Sequence, residues 1–193
     1  MHLPSHWLHS LIICLETLGK LASTVMRPVA ERDIRASFIN CSKGETKRLN
    51  PPRELADLPW ADLDFLGWRD PGAPERAYLV AEHDGSLAGI ALRVTSGAAR
   101  GFTSRSMCSL CLTTHTNGGV ALMTARRTGE AGRQGNTVGH YLCADLACSL
   151  YVRGRKEAPG GGPIDESLTV DEKAARVRAN VAAFLAKVTG AST

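Results

Sequence analysis

Apolar positions recur with a period near two in the middle of this chain and near 3.6 at its end. Residues 77–82 and 87–94 are strand-like, and His83-Asp84-Gly85-Ser86 between them carries the Asp-Gly pair of a tight hairpin. Residues 119–126 and 137–142 form a second strand pair, joined by the polar, glycine-rich loop RTGEAGRQGN, a candidate contact surface. Near the end, Ala174, Val177, Val181, Phe184, Leu185 and Val188 recur at helical spacing behind Thr169-Val-Asp-Glu, a capping box. That pattern predicts a helix from about residue 170 to residue 187.

Shorter elements fill the rest. Val29, Ile34, Phe38 and Ile39 among charges predict a short helix within residues 28–40, with Asp33 in an early turn, and CSKGETKRLNPP then breaks it. Leu55, Leu58, Trp60, Leu63, Phe65, Leu66 and Trp68 make an apolar stretch expected to pack onto the sheet, and RDPGAP reads as a turn. Residues 145–152 read as a short helix ended by Gly154, and GRKEAPGGGP as a linker or exposed loop. The fold class is α+β: a small antiparallel sheet with flanking helices and a long C-terminal helix.

At 193 residues and 44% apolar composition, the chain can build a buried core. No apolar run reaches the eighteen residues of a membrane helix, and the opening segment lacks the basic start and small-residue cleavage site of a secretory signal, so a cytoplasmic protein is expected. Two readings of residues 1–25 stay open: an extension ahead of a true start at Met26, or an ordinary amphipathic helix. The domain proper is expected over residues 26–193.

The net charge of +4 is modest, but its distribution is uneven. Between Arg93 and Lys156, the bases Arg93, Arg100, Arg105, Arg126, Arg127, Arg133, Arg153, Arg155 and Lys156 face only Glu130 and Asp145. Such asymmetry favours a polyanionic partner, RNA or an acidic protein face, unless it is simply a solvated surface. Tyr141 and Tyr151 could stack on bases, or could be core.

Cysteine spacing changes the picture most. Cys108-Ser-Leu-Cys111 and Cys143-Ala-Asp-Leu-Ala-Cys148 flank the second strand pair. A CxxC turn aims two thiolates at one ion, and a second pair at a strand end and helix start completes a tetrahedron. Knuckle, hairpin and helix in that order make a treble clef at about residues 105–156. Four sulfurs leave no position for an activated water, so the Zn2+ is structural. Four thiolates on zinc carry about two negative charges, and Arg105 and Arg153 are candidates to offset them. His115 and His140 are expected on the surface or beside the ligands rather than on the metal.

Cys14 and Cys41 are left over; Cys41 reads as a small buried residue, since no histidine or acid is patterned near it. Asp62 and Asp64 read as solvated or capping groups. No phosphate-binding glycine loop, catalytic triad order or metalloprotease helix occurs, so neither an enzyme nor a small-molecule substrate is expected.

Several blocks together resemble the elongation factor G-binding protein family, the FusB-type fusidic-acid-resistance proteins, in its actinobacterial members. They are SFINCSKGETKRLNPP, LPWADLDFLGWRDPGAPERAYLV, SMCSLCLTTH, GRQGNTVGHYLCADLACSLYVRG and the ending from Glu166, and the likeness covers roughly residues 26–190. The resemblance implies a treble-clef zinc domain, with Cys108, Cys111, Cys143 and Cys148 on the metal motif, that binds elongation factor G on the ribosome and helps a stalled factor leave. Resistance proteins of the family carry a further N-terminal helical bundle, for which this sequence has no room before the zinc-bearing part. Factor binding is therefore the property expected to carry over. The candidate contact residues are Arg126, Arg127, Arg133, Arg153, Arg155 and Lys156, with ribosomal RNA as the alternative partner.

Overall fold

The structure is a computed structural model that describes residues 25–95, 105–158 and 160–190. The two expected hairpins are present and share one sheet. Strands β1 (Leu66–Asp70), β2 (Ala73–His83), β3 (Ser86–Val94), β6 (Val120–Arg126) and β7 (Thr137–Cys143) lie in the order β1-β2-β3-β6-β7, every described pairing antiparallel. Asp84 and Gly85 turn the β2–β3 hairpin with φ of 49° and 76°, the left-handed pair that a two-residue turn matched to strand twist requires. The region read as a bare turn at RDPGAP is the β1–β2 hairpin. Burial in its first strand alternates at Leu66, Trp68 and Asp70, but the polar Asp70 at an inward position hides the apolar alternation in the sequence.

Helix α5 (Val170–Thr189) follows its capping box, Thr169 with Glu172, and ends on Gly190 at φ 77°. Its buried stripe is the six residues expected from periodicity, and Phe184 meets the ring of His140 on β7 at 4.7 Å. Two bonds tie its middle and its C-terminal end to other elements. Asn180 Nδ2 donates to the carbonyl of Leu110 at 2.9 Å, and the amide of Thr128 donates to the carbonyl of Val188 at 3.0 Å.

The N-terminal segment covers part of the other sheet face. Helix α1 (Glu31–Ala36) inserts Ile34, and Phe38, Trp68 and Tyr78 pack with ring centroids 5.0 to 6.4 Å apart. Phe38 forms a parallel bridge with Gly89, whose missing side chain makes room: a Cβ there would lie 2.6 Å from Ser37 Oγ. CSKGETKRLNPP was expected to break structure, yet it contains helix α2 (Lys43–Lys47), started by a capping box of Ser42 and Glu45. The side chain of Asn40 completes the sheet where β3 and β6 part. It accepts from the amide of Ala91 at 2.8 Å and donates to the carbonyls of Ala91 and Arg126 at 3.0 and 3.1 Å.

RTGEAGRQGN, expected as a loop, contains helix α3 (Gly129–Arg133), and Gly132 permits it: a Cβ there would lie 1.7 Å from the carbonyl oxygen of Arg127. The short helix after the cysteines, α4 (Cys148–Val152), starts three residues later than expected. The glycine-rich segment docks against the fold, since Gly162 and Thr114 exchange backbone hydrogen bonds at 2.8 and 2.9 Å.

Candidate metal centre and the basic residues around it

Four buried cysteines converge between three elements. A two-stranded ladder, β4 (Ser106–Met107) with β5 (Thr114–His115), carries Cys108 and Cys111 at its turn; β7 ends in Cys143; α4 begins with Cys148. Their sulfurs all lie within 4.8 Å of one another, with Cys108 to Cys148 at 3.7 Å and Cys111 to Cys143 at 3.5 Å. A tetrahedron with metal–sulfur bonds of ~2.3 Å has sulfurs about 3.8 Å apart, so the cluster fits one zinc ion without rearrangement.

Backbone amides prepare the sulfurs. The amides of Leu110 and Cys143 both donate to Cys108 Sγ, at 3.4 and 3.3 Å. Bonds from Cys111, Cys143 and Cys148 hold the Cys108 thiol well below its ordinary range, while bonds to Cys108 and Cys111, followed by burial, push Cys143 and Cys148 upward. Four close thiols cannot all ionise without a cation among them, and a divalent metal supplies that charge. Zn2+ is the structural cofactor of this site.

Two leucines in the metal loops take left-handed backbone, Leu112 at φ 59° and Leu146 at φ 57°. Each follows closely on a ligand, and such geometry costs on the order of 1 to 3 kcal/mol per residue. Leu146 also packs where Gly67 of β1 offers no side chain: a Cβ on Gly67 would sit 2.6 Å from Leu146 Cβ.

Neither histidine joins the ligand set. His115 is buried with Nε2 3.3 Å from Cys143 Sγ and its ring edge-on to Tyr151, so it supports a ligand; burial lowers its affinity for a proton. His140 packs on α5. Tyr151, a candidate for stacking, is core, and its hydroxyl donates to Asp145 at 2.8 Å. Arg153, a candidate to offset the thiolates, commits its guanidinium to Asp64 and the carbonyl of Ser149, and Arg105, the other candidate, forms no ion pair among the described residues.

Asp64 departs furthest from expectation. Read as a solvated or capping group, its side chain is fully buried and accepts from Arg153 at 2.5 and 3.0 Å and from Arg178 at 2.8 Å, while its amide donates to Ser149 at 2.9 Å. One carboxylate thus joins α4, α5 and the segment entering β1. The signal was in the sequence: an acid flanked by Leu63 and Phe65, both core residues.

The six candidate contact bases divide between the two ends of the β6–β7 hairpin. At the metal end Arg153 is internal, Arg155 lies 3.5 Å from Asp62, and Lys156 bonds Asp145 at 2.8 Å. At the other end stand Arg126, Arg127 and Arg133; only Arg133 is in an ion pair among the described residues, with Glu130 at 2.9 Å. Six residue steps of β6 at ~3.3 Å separate the groups by about 20 Å. They do not form one face.

Cys41 is half-buried, with its thiol pushed up to about 11 by burial and then by Glu45, whereas Cys14 lies outside the described residues. No helix among the described residues is long and apolar enough to cross a membrane.

Comparison with known proteins adds a family. The family described as FBP C-terminal treble-clef zinc-finger matches residues 33–188. No curated protein matches the chain. Among solved structures, one described as "Structure of the fusidic acid resistance protein FusC" is similar with a TM-score of 0.40 and 19% identity, over 55% of this chain and 45% of that one. This chain therefore spans less than half of that protein, and a likeness at this level carries no argument about function.

Proposed function

This chain belongs to the FBP C-terminal treble-clef zinc-finger family, and from that premise we propose that it is a non-enzymatic zinc protein that binds translation elongation factor G and helps the factor leave the ribosome. The observation that carries the reading is the extent of the family match, which takes in the metal ligands, all five strands of the sheet and most of the long helix. The sequence blocks that resemble factor G-binding proteins supply the partner.

The geometry supports a division of labour. Zinc clamps one end of the β6–β7 hairpin and the carbonyls of Val188 and Thr189 hold the other, at Thr128. The tip with Arg127, α3 and Arg133 is thereby presented on a fixed frame, and a contact surface ordered beforehand costs less to bind. Zinc in this reading positions the contact and takes no part in a reaction.

The test is retention of purified elongation factor G on the immobilised zinc-loaded chain, with and without chelator. Retention at low salt that weakens in an R127E/R133E variant of unchanged zinc content is expected. No retention at low salt sinks the reading. Faster loss of factor G from fusidic-acid-stalled ribosomes on addition of the chain tests the second half of the proposal.

A further inference from the structure

The sheet face opposite α5 is covered only in part. Over β1 and β2 it carries the aromatic cluster under α1, but over the ends of β3, β6 and β7 it is open. Register fixes what lies there. Arg76 faces Arg93 across β2–β3, Arg93 faces Thr124 across β3–β6, and Arg126 is two residues beyond Thr124, so all project to one side. Arg48, at the end of α2, completes the wall of a groove of about 470 Å³.

Directly opposed arginines repel one another, so this row lowers stability unless an anion is present. The groove's own acid is Glu45, whose carboxylate caps Ser42 at 2.7 and 2.8 Å; its single charge also acts on Arg126 and Arg48 but is one against four arginines. Arg76 has Glu75 at 3.7 Å, but Arg48, Arg93 and Arg126 form no ion pair among the described residues. Every cation of the groove is an arginine, the side chain whose planar fork matches phosphate oxygens.

One aromatic lies on the same open face. Tyr141 of β7 pairs with Leu122 of β6, which has the same parity as Thr124 and Arg126, and it is 45% exposed. The metal knuckle holds its backbone, for the amide of Ser109 donates to the carbonyl of Tyr141 at 2.7 Å. A cationic groove with an exposed aromatic farther along the same face of an antiparallel sheet is an arrangement that takes single-stranded nucleic acid, phosphates on the arginines and a base on the ring.

We propose that the open face formed by Arg48, Arg76, Arg93, Arg126 and Tyr141 binds single-stranded RNA. The site is independent of factor G binding, since it uses neither Arg127 nor Arg133 and its assay contains no factor.

The experiment measures anisotropy of a fluorescein-labelled 12-nucleotide single-stranded RNA titrated with the zinc-loaded full chain over a series of salt concentrations. Far-ultraviolet circular dichroism and zinc content verify that each variant is folded. The R93A/R126A variant is expected to bind at least tenfold more weakly, with a salt slope shallower by about 1.4, at ~0.7 per lost phosphate contact. Y141A is expected to weaken binding roughly tenfold with the slope unchanged, and Y141F to restore it, because a stacked base needs the ring and not the hydroxyl. The proposal is overturned if the natural chain shows no binding at 50 mM salt, or if both variants bind as it does. It is equally overturned if duplex RNA binds as tightly, or if polyglutamate of matched charge displaces the RNA as well as unlabelled RNA does. That last result would assign the groove to an acidic protein segment.

Discussion

The two ends of the β6–β7 hairpin solve opposite problems with the same kinds of residue. At the metal end Arg153, Arg155 and Lys156 each have an acid and the four sulfurs face one another, so most of the charge is met inside the molecule. At the open end arginines stand beside arginines, and the nearby acids Glu45 and Glu75 are too few to match them, which leaves an excess of positive charge facing outward. One end is arranged for persistence and the other for encounter, with about 20 Å of strand transmitting rigidity between them.

The largest break in that contrast comes from the metal. Cys108→Ser is expected to abolish stoichiometric zinc binding and unfold the second half, because structural zinc contributes on the order of 10 kcal/mol to the folded state. Zinc analysis and thermal melting measure it, and retention of one equivalent of zinc at an unchanged melting temperature would refute the ligand assignment. Chelation of the natural chain should likewise add four thiols to those that react with a disulfide reagent.

Next is Asp64→Asn, which leaves Arg153 and Arg178 without their buried counter-charge and should cost about 3 kcal/mol in urea unfolding with zinc present. Lys156→Ala at the same end should cost under about 1 kcal/mol, since its pair with Asp145 is partly exposed. If the two substitutions cost the same, the buried carboxylate is not the junction described.

Asn40→Ala tests the open end. Loss of its bonds to the backbones of Ala91 and Arg126 should cost about 1 to 2 kcal/mol, and hydrogen exchange should rise at the end of β3 before it rises at Cys143. R93A/R126A should change stability by no more than about 0.5 kcal/mol, because removing one of two opposed cations relieves repulsion. The smallest effect is chemical. With its thiol at about 11, Cys41 stays protonated at neutral pH, so its alkylation by iodoacetamide should rise close to tenfold per pH unit from pH 7 to pH 10. A plateau below pH 9 would contradict the burial that raises it.

How much of this was legible follows from how far apart the interacting residues lie. The Asp84-Gly85 hairpin, the β6–β7 pair, α5 with its Thr169 and Glu172 cap, and the four cysteines are local patterns, and each was readable from spacing. Strand β1 was missed because a polar residue, Asp70, holds the inward position in line with Leu66 and Trp68, which breaks the apolar alternation of so short a strand. Helix α2 was missed although Ser42 and Glu45 spell its cap, because two prolines downstream outweighed it. The basic half was visible as a charge count, but its division was not. Assigning Arg153 to the interior required Asp64, 89 residues away, and aligning Arg76, Arg93 and Arg126 required the register of three strands.

Leu112 and Leu146 give the metal site a mechanical side. Both hold a backbone conformation that leucine avoids, Leu112 next to Cys111 and Leu146 between Cys143 and Cys148. The zinc loops are therefore wound as well as joined, and metal departure releases several kcal/mol of torsion in addition to a cross-link. An emptied knuckle should relax away from its loaded shape, so that reloading must first rewind two residues and runs slower than ion diffusion allows. Glycine at both positions would remove the spring, and the exchange rate of zinc is where its absence should be felt.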